Sequence, residues 1–212
     1  MYLVLYLFLH SNTIITTNLH RNHRKLIFKM GDGSILFSLA PYHVLSYGTL
    51  LGTQVFHTFI NSVASFKVLE RPQFAILQRA VFPSYFGIQA AVPVVLALTY
   101  PGSKSAFGAS SGLAGVFHES NRWGVLLPLG TIFVAGLANL TYLLPETNKI
   151  TAKRRDQEKK DGKASYEGPP YSNEMSALNK EFGQLHGISS LINLVTLFAT
   201  VVYGVNLSSR LE

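Results

Sequence analysis

Four stretches without a formal charge constrain this chain more than anything else in it. Between Asp32 and Lys67 lie 34 residues free of Asp, Glu, Lys and Arg; there are 24 between Arg79 and Lys104, 23 between Arg122 and Glu146, and 28 from Phe182 to Ser209. A helix rises 1.5 Å per residue, so about 20 apolar residues cross the roughly 30 Å hydrocarbon core of a bilayer. Each window is long enough. Charged residues make up only 14% of the 212, against about 25% in a soluble domain. The expected fold is all-α: a polytopic membrane protein with a four-helix transmembrane bundle, spans falling near residues 41–65, 81–100, 124–144 and 187–206.

The net charge of +7 dissolves when it is mapped. Residues 1–29 hold Arg21, Arg24, Lys25 and Lys29 and no acid, four of the seven net charges. That stretch reads as an N-terminal extension, with Met30 as the functional start. The long segment 146–182 is nearly balanced, eight basic residues against seven acidic. No basic stripe interleaved with aromatics remains, so nucleic acid is not an expected partner; the lipid bilayer is. Lys149–Lys163 reads as a charged, solvated loop that could recruit a protein partner. Met175, Leu178, Phe182 and Leu185 then recur at helical spacing, which predicts a short amphipathic helix on the membrane surface before the last span. Without residues 1–29, eleven basic residues flank the side bearing the loops and three flank the side of the termini. The positive-inside rule therefore puts the long loop in the cytoplasm. Cys is absent, which removes disulfides and thiolate metal sites, and no cofactor or metal is expected.

Within the spans the polarity is uncharged and aligned. In span one His43, Ser46, Tyr47, Gln54, His57, Thr58 and Asn61 share a face at 100° per residue, the tightest part being Gln54, His57, Thr58 and Asn61. In span four His186, Ser189, Ser190 and Asn193 repeat that spacing. Asn139 lies on the polar face of span three, with Tyr85 and Gln89 on that of span two. Unpaired polar groups are costly in hydrocarbon, so these faces are expected to turn inward and toward each other. Two readings stand side by side: interhelical hydrogen bonds that hold the bundle together, or a polar cavity in which His57 and His186 pass protons. His186 and Ser190 are four residues apart on a helix, yet no acid lies in any span to orient the histidine, so catalysis is not expected. Pro93 in span two deprives the Gln89 carbonyl of its usual donor, which neighbours must replace. Gly48 and Gly52 form a GxxxG pair on the opposite face of span one, suited to a second copy of the chain.

Four ordered stretches resemble a known family. They are Gly52-Thr-Gln-Val-Phe-His-Thr-Phe59; Arg71-Pro-Gln-Phe-Ala-Ile-Leu-Gln78 with Phe82-Pro-Ser-Tyr-Phe86; Ala138-Asn-Leu-Thr-Tyr-Leu-Leu-Pro145; and Phe182-Gly-Gln-Leu-His-Gly-Ile-Ser-Ser-Leu-Ile-Asn-Leu194. Over residues 42–206 the chain resembles the transmembrane-protein-205-like family of small four-span eukaryotic proteins. One departure is Leu144, where an acid is expected before the proline. The resemblance implies an integral protein of the endomembrane system or plasma membrane rather than of mitochondria. An animal member is associated with cellular export and resistance to platinum drugs. The expected function is therefore non-enzymatic: support of export or membrane trafficking, with the polar face between spans one and four as the working surface. A channel-like oligomeric pore and a membrane scaffold are the alternatives.

Overall fold

A computed structural model describes residues 38–102 and 111–210. The stretch 1–29 lies outside them. Residues 42–212 make one compact unit, and of the other, Met1–Pro41, only its last four residues are described.

Every regular element among the described residues is helical. Helix α1 (Ala40–Val55) passes through one π turn, Phe56–Asn61, into α2 (Ser62–Val68). Helix α3 runs unbroken from Arg71 to Leu98. Glu70 supplies the extended N-cap backbone and Pro72 occupies the first turn, where a missing N–H costs nothing. A short helix α4 (Gly112–Val116) leads through a 3₁₀ turn and a π turn, Arg122–Leu126, into α5 (Leu127–Ala138). A further π turn, Asn139–Leu143, joins α5 to α6 (Leu144–Asp161). Helix α7 spans Asn173–Ser208.

Three helical runs are long and apolar enough to cross a membrane: Arg71–Leu98, Glu119–Asp161 and Asn173–Ser208. The run containing α1 and α2 does not join them, because the same stripe of His, Gln, Thr and Asn that marks its inner face lowers its hydropathy. Exposure has the sense expected of lipid-facing helices. Leu45, Phe59, Val134, Leu191, Phe198 and Val205 all stand exposed, while the interior holds Gln, Asn, Thr and His beside an apolar core.

The inner faces follow a heptad-like period. On α3 and just beyond it, the buried positions include Gln78, Tyr85, Gln89, Pro93, Leu96 and Tyr100; on α7 they include Thr196, Thr200, Tyr203 and Leu207. Steps of three and four residues keep one seam facing the partner in a slightly coiled bundle. Helices α3 and α5 approach most closely at Gly136, where a Cβ would stand 2.7 Å from the Gln89 carbonyl carbon and 2.9 Å from its oxygen. The carbonyl that Pro93 cannot serve thus lies against the bare Cα of Gly136. One end of the bundle is closed by an apolar cluster of Leu50, Leu96, Val116, Val125, Leu129, Ile132 and Leu207 with Tyr100 and Tyr203. Helix α4 completes that end, with Val116 buried and the Gly112 N–H donating to the Tyr100 carbonyl at 2.8 Å.

Two expectations about the segment 146–182 are corrected. It is not a solvated loop, because α6 continues span three as a helix to Asp161, where Gly162 ends it in the left-handed conformation (φ 62°). Nor is there a separate surface helix, since α7 begins at Asn173 and enters span four without a break. Ser172 caps α7 by accepting from the Met175 N–H at 3.1 Å and ties it to α6 by donating to Asp161 at 2.7 Å. The apolar spacing of Met175 and Phe182 serves helix pairing rather than a membrane surface. Met175 and Ile150 are both buried, and the Arg154 guanidinium lies 4.3 Å from the Phe182 ring centre while its Nε donates to Asn179 at 2.9 Å. Burial pulls the Arg154 guanidinium below its ordinary pKa, opposed by Glu158 and Tyr171, and guanidinium chemistry keeps it charged. At 1.5 Å per residue, the 36 residues of α7 extend about 54 Å, well beyond one bilayer core. A charged helical hairpin therefore projects from one end of the bundle.

Candidate functional site

Polar side chains collect at three levels along the first helix. At the apolar end, His43 is buried between α3 and α7. The Tyr203 hydroxyl lies 2.7 Å from His43 Nε2, and His43 Nδ1 lies 2.9 Å from the Thr99 hydroxyl. Thr99 spends its own proton on the Val95 carbonyl at 2.7 Å. That fixes the order of donors. The Thr99 oxygen accepts from Nδ1–H, so Nε2 is bare and accepts from Tyr203. A neutral histidine thus bridges three helices with every ring nitrogen paired. Tyr47 packs beside this group, its hydroxyl on Gly204, where no Cβ would fit. Arg210 lies 5.0 Å from the Tyr100 ring centre and donates to Asn121 at 2.8 Å, and Asn121 donates to the Gly115 carbonyl.

At the middle level stand Gln54 and Gln89, 1% and 0% exposed. Neither amide has a hydrogen-bond partner among the described residues, and the Asn193 carbonyl oxygen is also buried and unpaired. At the third level the π turn places His57 against α3, its ring 4.4 Å from that of Tyr85 and 5.2 Å from that of Phe82. Asn61 donates its amide to His57 Nδ1 at 3.1 Å, which puts the imidazole proton on Nε2, a buried atom without a partner. Asn139, 0% exposed and at the start of its own π turn, accepts from the Ser189 hydroxyl at 2.7 Å and leaves its Nδ2 unpaired. Further along α3, Gln78 is buried with both amide atoms unpaired.

The predicted stripe is thus only partly inward. Gln54, His57 and Asn139 are buried, and Asn61, Ser189 and Asn193 are half-buried; Thr58, His186 and Ser190 are exposed. Thr58 is exposed although it stands beside Tyr85 of α3. The inner seam of α7 runs Ser189, Asn193, Thr196, Thr200 and Tyr203, one notch round from the expected His186–Ser190 edge. His186 instead stacks on Phe182 of its own helix, ring centres 5.8 Å apart. His57 and His186 are not brought together by any ring contact or hydrogen bond, and spans one and four meet through Tyr47, His43 and Tyr203. His43 and Tyr47 were legible as members of the stripe. Their partner Tyr203 was not, since nothing in a single apolar helix singles out one tyrosine.

An unpaired buried amide costs about 1–3 kcal/mol. Gln54, Gln78, Gln89 and Asn139 together approach the 5–15 kcal/mol that stabilises a whole domain.

The family described as "Domain of unknown function (DUF4149)" matches residues 45–156. Those residues carry Gln54, His57, Gln89 and Asn139. The chain belongs to this family. It is also 32% identical over 174 residues, 82% of its own length and 92% of the relative's, to "Xanthocillin biosynthesis cluster protein D" of Aspergillus fumigatus. No solved structure matches.

Proposed function

We propose that this DUF4149 protein is an integral membrane protein of four crossings that supports export or membrane trafficking without catalysing a reaction. One observation carries it: the outward side chains of the long helices are apolar, while the interior holds, beside its apolar core, a set of buried uncharged polar side chains that includes His43, Gln54, His57, Gln89 and Asn139. Helix α1 with α2 makes the fourth crossing, its Gln54 and His57 turned toward α3 and α7 and its Leu45 and Phe59 turned to lipid. An interior of this kind suits the passage or handling of molecules in the membrane, and a relative named for a biosynthesis cluster is in keeping with a role toward a small-molecule product. The test is complementation of a deletion strain, read by mass spectrometry of cell extract against medium. His57→Ala, present at wild-type abundance, is expected to give the extracellular profile of the deletion. A wild-type profile at equal abundance would reduce the polar interior to packing.

A second reading has its own observation. Helix α6, the turn that follows it and the start of α3 bound a cleft of about 480 Å³, lined by Pro72 and Ile76 and by Arg155, Lys159 and Lys163 with one acid, Glu158. This surface fits an acidic segment of a partner protein. Replacing the three basic residues by Gln would abolish co-purification of such a partner under the scaffold reading and leave the export profile untouched under the first.

A further inference from the structure

Three amide side chains on three helices share one depth. Gln54 lies 11 residues past His43, Gln89 lies 10 before Thr99, and Asn193 lies 10 before Tyr203. Because His43 is hydrogen-bonded to both Thr99 and Tyr203, all three amides stand about 15 Å from that cluster along the bundle. The contact of His57 with Tyr85, one turn further on, confirms the register between α1 and α3. Each amide is on the inner seam of its helix, and Gln54 and Gln89 are at least nine-tenths buried with donor and acceptor both unpartnered. Tyr85 stands beside Gln89 and Thr58, the Gln89 amide lying outside hydrogen-bonding geometry. The nearest formal charges along these helices are Lys67, Arg79 and Glu181, at least ten residues away from the nearest amide.

We propose that Gln54, Gln89 and Asn193 form a buried binding site for uncharged hydrogen-bonding guests: water, and small neutral molecules bearing hydroxyl or amide groups. Carboxamides offer donors and acceptors in equal measure and no charge, so they satisfy a guest that does both. A charged guest would find no counter-ion at this depth. Toward one end the site is closed by the layer of Leu50, Leu96, His43 and Tyr203, all buried. Helix α1 reaches its neighbours through long side chains, in contrast to the backbone contact of α3 with α5 at Gly136, and the amides lie along that looser seam.

The site rests on the four-crossing bundle proposed above, but its test needs no export assay. The native chain has no Cys, so Gln54→Cys, Asn193→Cys and the near-isosteric Thr196→Cys, one turn further on the same seam of α7, report directly. They are treated in sealed membranes with methanethiosulfonates carrying a neutral hydroxyethyl, an anionic sulfonatoethyl or a cationic trimethylammonioethyl group. Modification by the neutral reagent is expected at least ~10-fold faster than by either charged one, a bound set below the roughly 70-fold that the modest end of the penalty for a charge at the bilayer centre, about 2.5 kcal/mol, would give. Leu50→Cys, in the apolar layer, is expected to stay unmodified. Equal rates for all three reagents would overturn the selectivity. Protection of all three seam positions, with full modification after denaturation, would overturn the site itself. If Gln54→Cys does not accumulate, the Thr196→Cys rates decide. A selective site in a protein whose His57→Ala variant exports normally would uphold the site and remove the export reading.

Discussion

Replacing His43 by Leu tests whether the interior is built from directed hydrogen bonds. The substitution removes the acceptor of the Tyr203 hydroxyl, a side chain with 0% exposure. Thr99 loses a donor but keeps its bond to the Val95 carbonyl, so its contribution is small. The stranded hydroxyl costs about 1–3 kcal/mol, and interhelical hydrogen bonds in membrane proteins are worth about 0.6 kcal/mol on average and up to about 1.7. His43→Leu is therefore expected to destabilise by about 2 kcal/mol, or roughly 4–8 °C in Tm for a chain of this size. Tyr203→Phe leaves the bare Nε2 unpaired and is expected to cost about 1 kcal/mol. In the double variant both ends of the bond are gone and no hydroxyl is stranded. Its cost is expected to fall below the sum of the singles by about 1 kcal/mol. The assay is thermal unfolding of the four purified proteins in one detergent. Additivity within about 0.3 kcal/mol would refute a Tyr203–His43 bond and the donor order built on it.

Gly136→Ala places a Cβ against the Gln89 and Ala90 backbone and is expected to cost about 1–3 kcal/mol by overpacking, whereas Gly130→Ala, which meets nothing, is expected to leave Tm unchanged; equal melting temperatures would show that α3 and α5 are not in backbone contact. Gly48 and Gly52 are exposed, and a Cβ at either meets nothing within 4 Å. Leu at both is expected to leave the Tm of the monomer unchanged and to lower cross-linked dimer, and an unchanged dimer fraction would exclude this face from self-association. Arg154→Ala removes the Asn179 bond and the contact with Phe182, so limited proteolysis between residues 162 and 172 is expected to accelerate. Arg154→Lys is not expected to rescue it, because an ammonium lacks the planar fork that both contacts use.

Helical content and three of the four expected spans were legible because charge-free windows of bilayer length favour apolar helices. The polar stripe on span one was legible too, since His43, Gln54 and His57 repeat near the helical period and the structure buries all three. His186 and Ser190 broke the pattern for a reason a helical wheel does not contain, the rotation of α7 that turns Ser189 and Thr196 inward, while Thr58 stands exposed. The hairpin of α6 and α7 was hidden for a different reason. Dense charge in 149–163 reads as solvation whether the backbone is coil or helix, and only the packing of Ile150, Met175 and Phe182 distinguishes them.

By itself the sequence determined that this chain is helical, that its long helices are apolar on the outside, and that any chemistry inside must use histidine, amide and hydroxyl groups. Those follow from which side chains exist and how they are spaced, which is local. Tertiary structure decided which polar groups meet, His43 with Tyr203 and Thr99 and Asn139 with Ser189, and which are left buried without a partner, Gln54 and Gln89 among them. Partners at the same depth on different helices depend on register and rotation, set by close approach at glycines such as Gly136 and Gly204. No local pattern in one helix encodes those.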